Sequence, residues 1–187
     1  MRVAVIHNRD REGVGKSTTC FERPIYKAGC EPDDSLTGLL IERYHAPYHA
    51  RLEEATADPA VRLALDCHSM LAAAPPIGRD VGQGRPLFCL SNRSGATAPV
   101  ELLEQLVTAV AAAFELPRGE IGLNDPFKGG YITQRHGGGR VPWVQVEMNP
   151  SLYLEDPWFD RVMREIDHGR LSDLRDRFRD ALQRLRL

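Results

Sequence analysis

Val61-Arg62-Leu63-Ala64-Leu65-Asp66-Cys67-His68-Ser69 is the stretch on which the reading of the fold turns. Its first five residues form a short, mainly apolar run of the kind that a buried strand supplies. Four polar and reactive residues stand at its carboxyl end. Working outward, similar runs recur at Val3-Ala4-Val5-Ile6, at Pro86-Leu87-Phe88-Cys89-Leu90 and at Pro142-Trp143-Val144-Gln145-Val146-Glu147, with a shorter one starting at Ile121. Helical spacing lies between and after them. Leu36, Leu39, Leu40 and Tyr44 form one stripe from Ser35, which Pro47 should interrupt or kink. Leu102, Leu103, Leu106, Val110 and Ala113 mark a helix from about Pro99 to Phe114. Leu171, Leu174, Phe178, Leu182 and Leu185 mark an amphipathic helix at the end, whose six arginines read as a solvated face offset by Asp173, Asp176 and Asp180. Strands alternating with helices predict an α/β fold, a sheet covered by helices on both faces. Residues 124–140 form a glycine-rich segment.

Composition narrows the class. The chain has 187 residues, 42% hydrophobic and 27% charged, with a net charge of −2. That is ordinary for a globular protein and predicts a single domain over residues 1–187. A chain of this length buries about 70% of its unfolded surface and needs no staple to fold. No apolar run is long enough to span a membrane. The near-neutral charge gives no electrostatic case for nucleic acid. Cys20, Cys30, Cys67 and Cys89 form no C-x-x-C pair and read as reduced thiols in a cytoplasm.

Near the start, Arg11-Glu12-Gly13-Val14-Gly15-Lys16-Ser17-Thr18-Thr19 after a strand resembles the deviant Walker A loop of chromosome-partitioning ATPases. A phosphate cradle needs converging backbone N–H groups and then a helix. Here Asp10 and Glu12 stand where the loop's first glycine belongs, and a carboxylate repels a triphosphate. The residues after Lys16 include Pro24 and form no apolar stripe. Nucleotide binding is therefore the weakest of the functional readings.

Three segments hold more reactive groups than packing requires. Asp66-Cys67-His68-Ser69 lies at the carboxyl end of a strand, where open α/β sheets bind ligands. An imidazole there can hold a metal, with a neighbouring carboxylate fixing its tautomer. A buried histidine bonded to backbone would give the same pattern. Asn124 to Gly137 combines adjacent glycines, which let backbone approach a ligand, with Lys128 and Arg135, which can neutralise an anion. A surface turn is the alternative. Glu147, in Gln145-Val146-Glu147, is costly to bury unless paired, and burial would lift its pKa towards that of a general base. An edge-strand glutamate facing water is the alternative there. His45 and His49 stand four apart in Tyr44-His45-Ala46-Pro47-Tyr48-His49, but Pro47 argues against a shared ligand.

Taken in order, Asn8-Arg9-Asp10, Arg43-Tyr44-His45-Ala46-Pro47-Tyr48-His49, Asp66-Cys67-His68-Ser69-Met70, Ser91-Asn92-Arg93-Ser94-Gly95, Asn124 to Gly137 and Gln145-Val146-Glu147 with Leu152-Tyr153 resemble the N-formylglutamate amidohydrolase family, over about residues 5–155. The resemblance implies a zinc-carboxypeptidase-like fold, a mixed, mostly parallel sheet flanked by helices, and hydrolysis of N-formyl-L-glutamate to formate and glutamate, a step of histidine catabolism. It implies Zn2+ as cofactor, with His68 as a metal ligand, Asp66 beside the metal and Glu147 as the catalytic base. Asn8 and Arg9 would bind a substrate carboxylate, with Lys128 and Arg135 assisting or lining the site.

The family's Pro-His-Ser-Gly-like segment, which carries further ligands, has no match in residues 1–187. The resemblance thus implies an incomplete metal site and a chain whose turnover is in question. A sheet without its first strand would also present an edge that a second copy could cover. The expected partner is a small acidic N-acyl amino acid. A non-catalytic protein that binds acidic ligands on the same fold is the second reading.

Overall fold

The computed structural model describes residues 16–76 and 81–187. The predicted strand Val3–Ile6, the loop residues before Lys16, and Asn8 and Arg9 lie outside the described residues. The chain divides into two compact units. One holds residues up to Pro59 together with Pro75–Gly82, and the other holds Ala60–Ala74 together with Gln83–Leu187.

The described part of the first unit holds one continuous helical run: α1 (Asp34–Leu40), one π-helical turn (Ile41–His45) and α2 (Ala46–Ala57). Asp33 caps α1 through its side chain, which accepts from the Leu36 N–H. Pro47 does not break this run, contrary to the sequence expectation. The wide turn before it closes with the Ala46 N–H on the Ile41 carbonyl, so Pro47 falls in the first turn of α2, where a missing N–H leaves no bond unmade.

The second unit is an α/β layer. Its elements run β1 (Ala64–Ser69), β2 (Phe88–Ser91), α3 (Val100–Phe114), β3 (Ile121–Leu123), α4 (Tyr131–His136), β4 (Trp143–Met148), β5 (Phe159–Asp160), β6 (Glu165–Ile166) and α5 (His168–Gln183). The main sheet has the order β1-β4-β2-β3. β4 is parallel to β1 and antiparallel to β2, and β2 is parallel to β3. The sheet is therefore mixed and mostly parallel, as the resemblance implies. No helix among the described residues is long and apolar enough to cross a membrane.

Register sorts the sheet into two chemically different faces. Asp66 pairs with Gln145 and His68 with Glu147, while Cys89 faces Glu147 and Ser91 faces Gln145 across the other ladder. Because strand side chains alternate and paired residues share a face, these six project to one side. Phe88, Leu90, Val144 and Val146 project to the other, where they join the apolar core. There α3 contributes Leu102, Leu103, Leu106, Val107 and Val110, and α5 contributes Leu174 and Ala181.

Arg170 and Arg177 depart from the expected solvated face of α5. Arg170 donates to the Leu152 carbonyl and pairs with Asp173. Arg177 reaches the Ala113 carbonyl and Glu115 at the end of α3.

One boundary also differs from expectation. β1 begins at Ala64 and runs to Ser69, so the four polar residues lie inside the strand, held in register against β4, rather than beyond its end. Within the glycine-rich segment, Tyr131–His136 forms α4. Its end is set by Gly137, where a Cβ would stand 2.4 Å from the Thr97 Cβ and 2.6 Å from the Thr133 carbonyl.

Candidate active site

The polar face of the sheet is roofed by the segment from Asn124 to α4, and side chains of the sheet itself hold that roof. Ser91 Oγ donates to the Phe127 carbonyl at 2.6 Å, and Cys89 Sγ to the Asp125 carbonyl at 3.2 Å. Asn92 and Asn124 bond to each other: the Asn92 N–H donates to Asn124 Oδ1, and Asn124 Nδ2 to Asn92 Oδ1. Arg93 donates to the Gly129 carbonyl at 2.9 Å. Gly129 has φ +98°, and a Cβ on it would stand 2.7 Å from Arg93 Cγ, so only glycine fits this crossing.

Beneath the roof lie Asp66, His68, Gln145 and Glu147. Asp66 is 6% exposed and both its oxygens are engaged. Oδ1 accepts from His68 Nε2 at 2.8 Å, and Oδ2 accepts from the Thr133 hydroxyl of α4 at 2.9 Å. Burial alone would raise the Asp66 pKa, but these donors and the charge of His68 together hold it below the ordinary carboxylate value. An ionised carboxylate can only accept, so His68 carries its proton on Nε2. The ring's other nitrogen, Nδ1, makes no hydrogen bond among the described residues. The Asp66 bond also holds the His68 pKa above its ordinary value, against the opposing effect of burial.

Glu147 stands opposite His68 in the β1–β4 ladder and is 4% exposed. Gln145 Nε2 donates to its Oε1. Burial pushes the Glu147 carboxyl above the ordinary value, while the Gln145 bond and the charges of His68 and Arg85 pull the other way. Arg85 lies over the Phe127 ring at 4.9 Å.

This arrangement suits a divalent cation in part. An imidazole with Nε2–H tied to a carboxylate and Nδ1 open is the form in which histidine ligates metals. Asp66, with both oxygens occupied, orients the ring rather than adding a ligand. Among the described residues, no group of three or more His, Cys, Asp or Glu side chains comes together to hold a metal. A catalytic zinc takes about three protein ligands, more than any one group of described residues gathers.

Of the site residues expected from the sequence, the structure brings together Asp66, His68 and Glu147. Lys128 is exposed in the roof segment, and Arg135 is exposed on α4, donating to the Tyr131 hydroxyl at 3.2 Å. Neither bonds to His68 or Glu147. Asn8 and Arg9 lie outside the described residues. Sequence reasoning missed Thr133 and Gln145 as functional side chains, although both stand in quoted segments. For Gln145 the signal was its two-residue spacing from Glu147, which in a strand puts both on one face.

The family model for N-formylglutamate amidohydrolase matches residues 3–154. Among solved structures, the chain is similar to a crystal structure of an N-formylglutamate amidohydrolase from Ralstonia eutropha JMP134. The identity is 25% and the TM-score 0.59, over 86% of this chain and 56% of that one. The chain thus spans little more than half the length of that relative. No curated protein matches it.

Proposed function

Because the chain belongs to the N-formylglutamate amidohydrolase family, we propose that it hydrolyses the amide of a small acidic N-acyl amino acid, with N-formyl-L-glutamate as the substrate and formate and glutamate as products. One observation carries this reading: His68 and the buried Glu147 face each other in register, the first with an open ring nitrogen and the second with a raised carboxyl pKa. His68 would hold Zn2+ through Nδ1, with Asp66 and Thr133 keeping the ring turned that way. When bound, such a cation supplies Lewis-acid polarisation of a carbonyl and lowers the pKa of water to about 7.

The chain's own residues supply the proton traffic. Glu147 Oε2, which has no hydrogen bond among the described residues, accepts a proton from water as the water oxygen bonds to the formyl carbon. The same carboxyl then delivers that proton to the amine nitrogen as the C–N bond breaks, leaving formate and the free amino acid. A carboxyl raised towards neutrality does both jobs better than an ordinary one, and such transfer is worth about 10²–10⁴-fold in rate. Asn8, Arg9, Lys128 and Arg135 are proposed to meet the substrate's carboxylates.

The second reading is a protein that binds the acidic ligand without turning it over. It is favoured by the lack of a three-donor group among the described residues. Formate release from N-formyl-L-glutamate, measured with Zn2+ and again with a chelator, separates the two. Release that the chelator stops supports the hydrolase. Glutamate binding by metal-free protein, with no formate from any N-acyl amino acid, supports the binder.

A further inference from the structure

Glu147 has three rotatable side-chain bonds, yet a general base must present one lone pair within hydrogen-bond reach of its proton. The structure holds it by a chain of bonds. The Gly130 N–H donates to Gln145 Oε1, and Gln145 Nε2 donates to Glu147 Oε1. The Gln145 amide cannot be flipped without setting its NH2 against an N–H and its oxygen against a carboxylate. Gln145 is 4% exposed, so water does not replace either partner.

Gly130 is the N-cap residue of α4, and Thr133, three residues on, holds Asp66 and through it His68. One turn of chain therefore anchors both sides of the site: Gly130 through Gln145 to the acid, and Thr133 through Asp66 to the imidazole.

We propose that Gln145 is a positioning residue. By occupying Glu147 Oε1 while locked to Gly130, it leaves Oε2 as the one oxygen aimed at the reacting water. It also makes the aim of that oxygen depend on the glycine segment ahead of α4. The inference rests on the reading of Glu147 as the base and goes beyond it by naming what holds the base.

The test is Gln145→Met, which keeps the volume and removes both bonds. Gly130 is itself exposed at the start of α4, so the backbone there can turn its freed N–H out to water without loss of the fold. A displacement of about 1 Å costs on the order of 10²-fold in rate. The variant should lose about 10–100-fold in kcat for N-formyl-L-glutamate, with KM within about threefold. Its bound zinc should be unchanged, and its Gly130 amide should exchange with solvent at least about tenfold faster. Gly130→Pro gives an independent handle. The native φ of −77° suits proline, so this variant deletes the N–H that locks Gln145 and should lower kcat in the same sense.

Wild-type kcat in Gln145→Met, or a raised KM with kcat kept, would overturn the proposal. If the wild-type protein hydrolyses no N-acyl amino acid, the hydrolase reading fails on its own. Crystals of Gln145→Met then decide the positioning claim: a rotated Glu147 carboxyl upholds it and an unmoved one refutes it.

Discussion

Replacing Asp66 by asparagine tests the pair that presents His68. The variant keeps the shape and an oxygen facing His68 Nε2, 2.8 Å from Oδ1 in the wild type; it removes the charge and replaces Oδ2 by an NH2, to which the Thr133 hydroxyl must turn to accept. A hydrogen bond to a charged group is worth about 1.5–3 kcal/mol and a neutral one about 0.5–1.5. The difference is about 1 kcal/mol, kept at the lower end because the His68 side chain is 44% exposed and its charge is screened. By the same reasoning zinc should bind about tenfold more weakly, the lower end for losing an outer-shell partner.

The pH dependence comes from the direction of the His68 shift. Its folded pKa is raised by Asp66, so the stability that the charged pair contributes is complete below the unfolded value of about 6.5 and is lost as pH rises through the folded value. In metal-free protein, the stability gap between wild type and Asp66→Asn should be wider at pH 6 than at pH 9. Urea unfolding with a chelator present measures that gap, and competition with a chromophoric chelator measures the zinc affinity. A gap independent of pH, together with unchanged affinity, would refute the assignment of Asp66 as the group that sets the ring.

Glu147→Gln should lower turnover about 10²–10⁴-fold with zinc content intact. It should also raise stability at neutral pH, because a carboxyl whose folded pKa is raised opposes folding once ionised, as thermal unfolding would show. Leu106→Ala, in a side chain with no exposure at the centre of the core, should cost about 2–5 kcal/mol in urea unfolding. Gly137→Ala should lower Tm and weaken zinc binding together, since its Cβ would push on Thr97 and on the Thr133 carbonyl, and Thr133 holds Asp66. A drop in Tm with zinc affinity preserved would separate α4 from the site.

The main-sheet strands and the two long helices of the second unit were legible because burial imposes a pattern. Phe88, Leu90, Val144 and Val146 alternate towards the core, and Leu102, Leu103, Leu106 and Val110 repeat at helical spacing. Boundaries were read less well where a strand turns from burying apolar groups to holding reactive ones. Asp66 and His68 look like the end of a strand in sequence, but backbone bonds to β4 carry the ladder through them. Helix α4 was hidden because its six residues are too few to show a period and glycines flank it. Pro47 misled because the wide turn that accommodates it depends on backbone geometry rather than composition.

The pairing of His68 with Glu147 across β1 and β4 needed only the direction of two strands. The roles of Gln145 and Thr133 needed their partners, Gly130 and Asp66, which lie 15 and 67 residues away. No local pattern records a contact of that length.

The central claim is that His68 presents a cation-binding nitrogen beside Glu147, and anomalous diffraction at the zinc edge, from crystals grown with Zn2+, tests it most directly. The expected result is a peak at about 2.0–2.1 Å from His68 Nδ1, on the side facing Glu147 Oε2, with Nε2 still bonded to Asp66. A peak at Nε2 with the Asp66 bond broken, or zinc bound with His68 unligated, would contradict it.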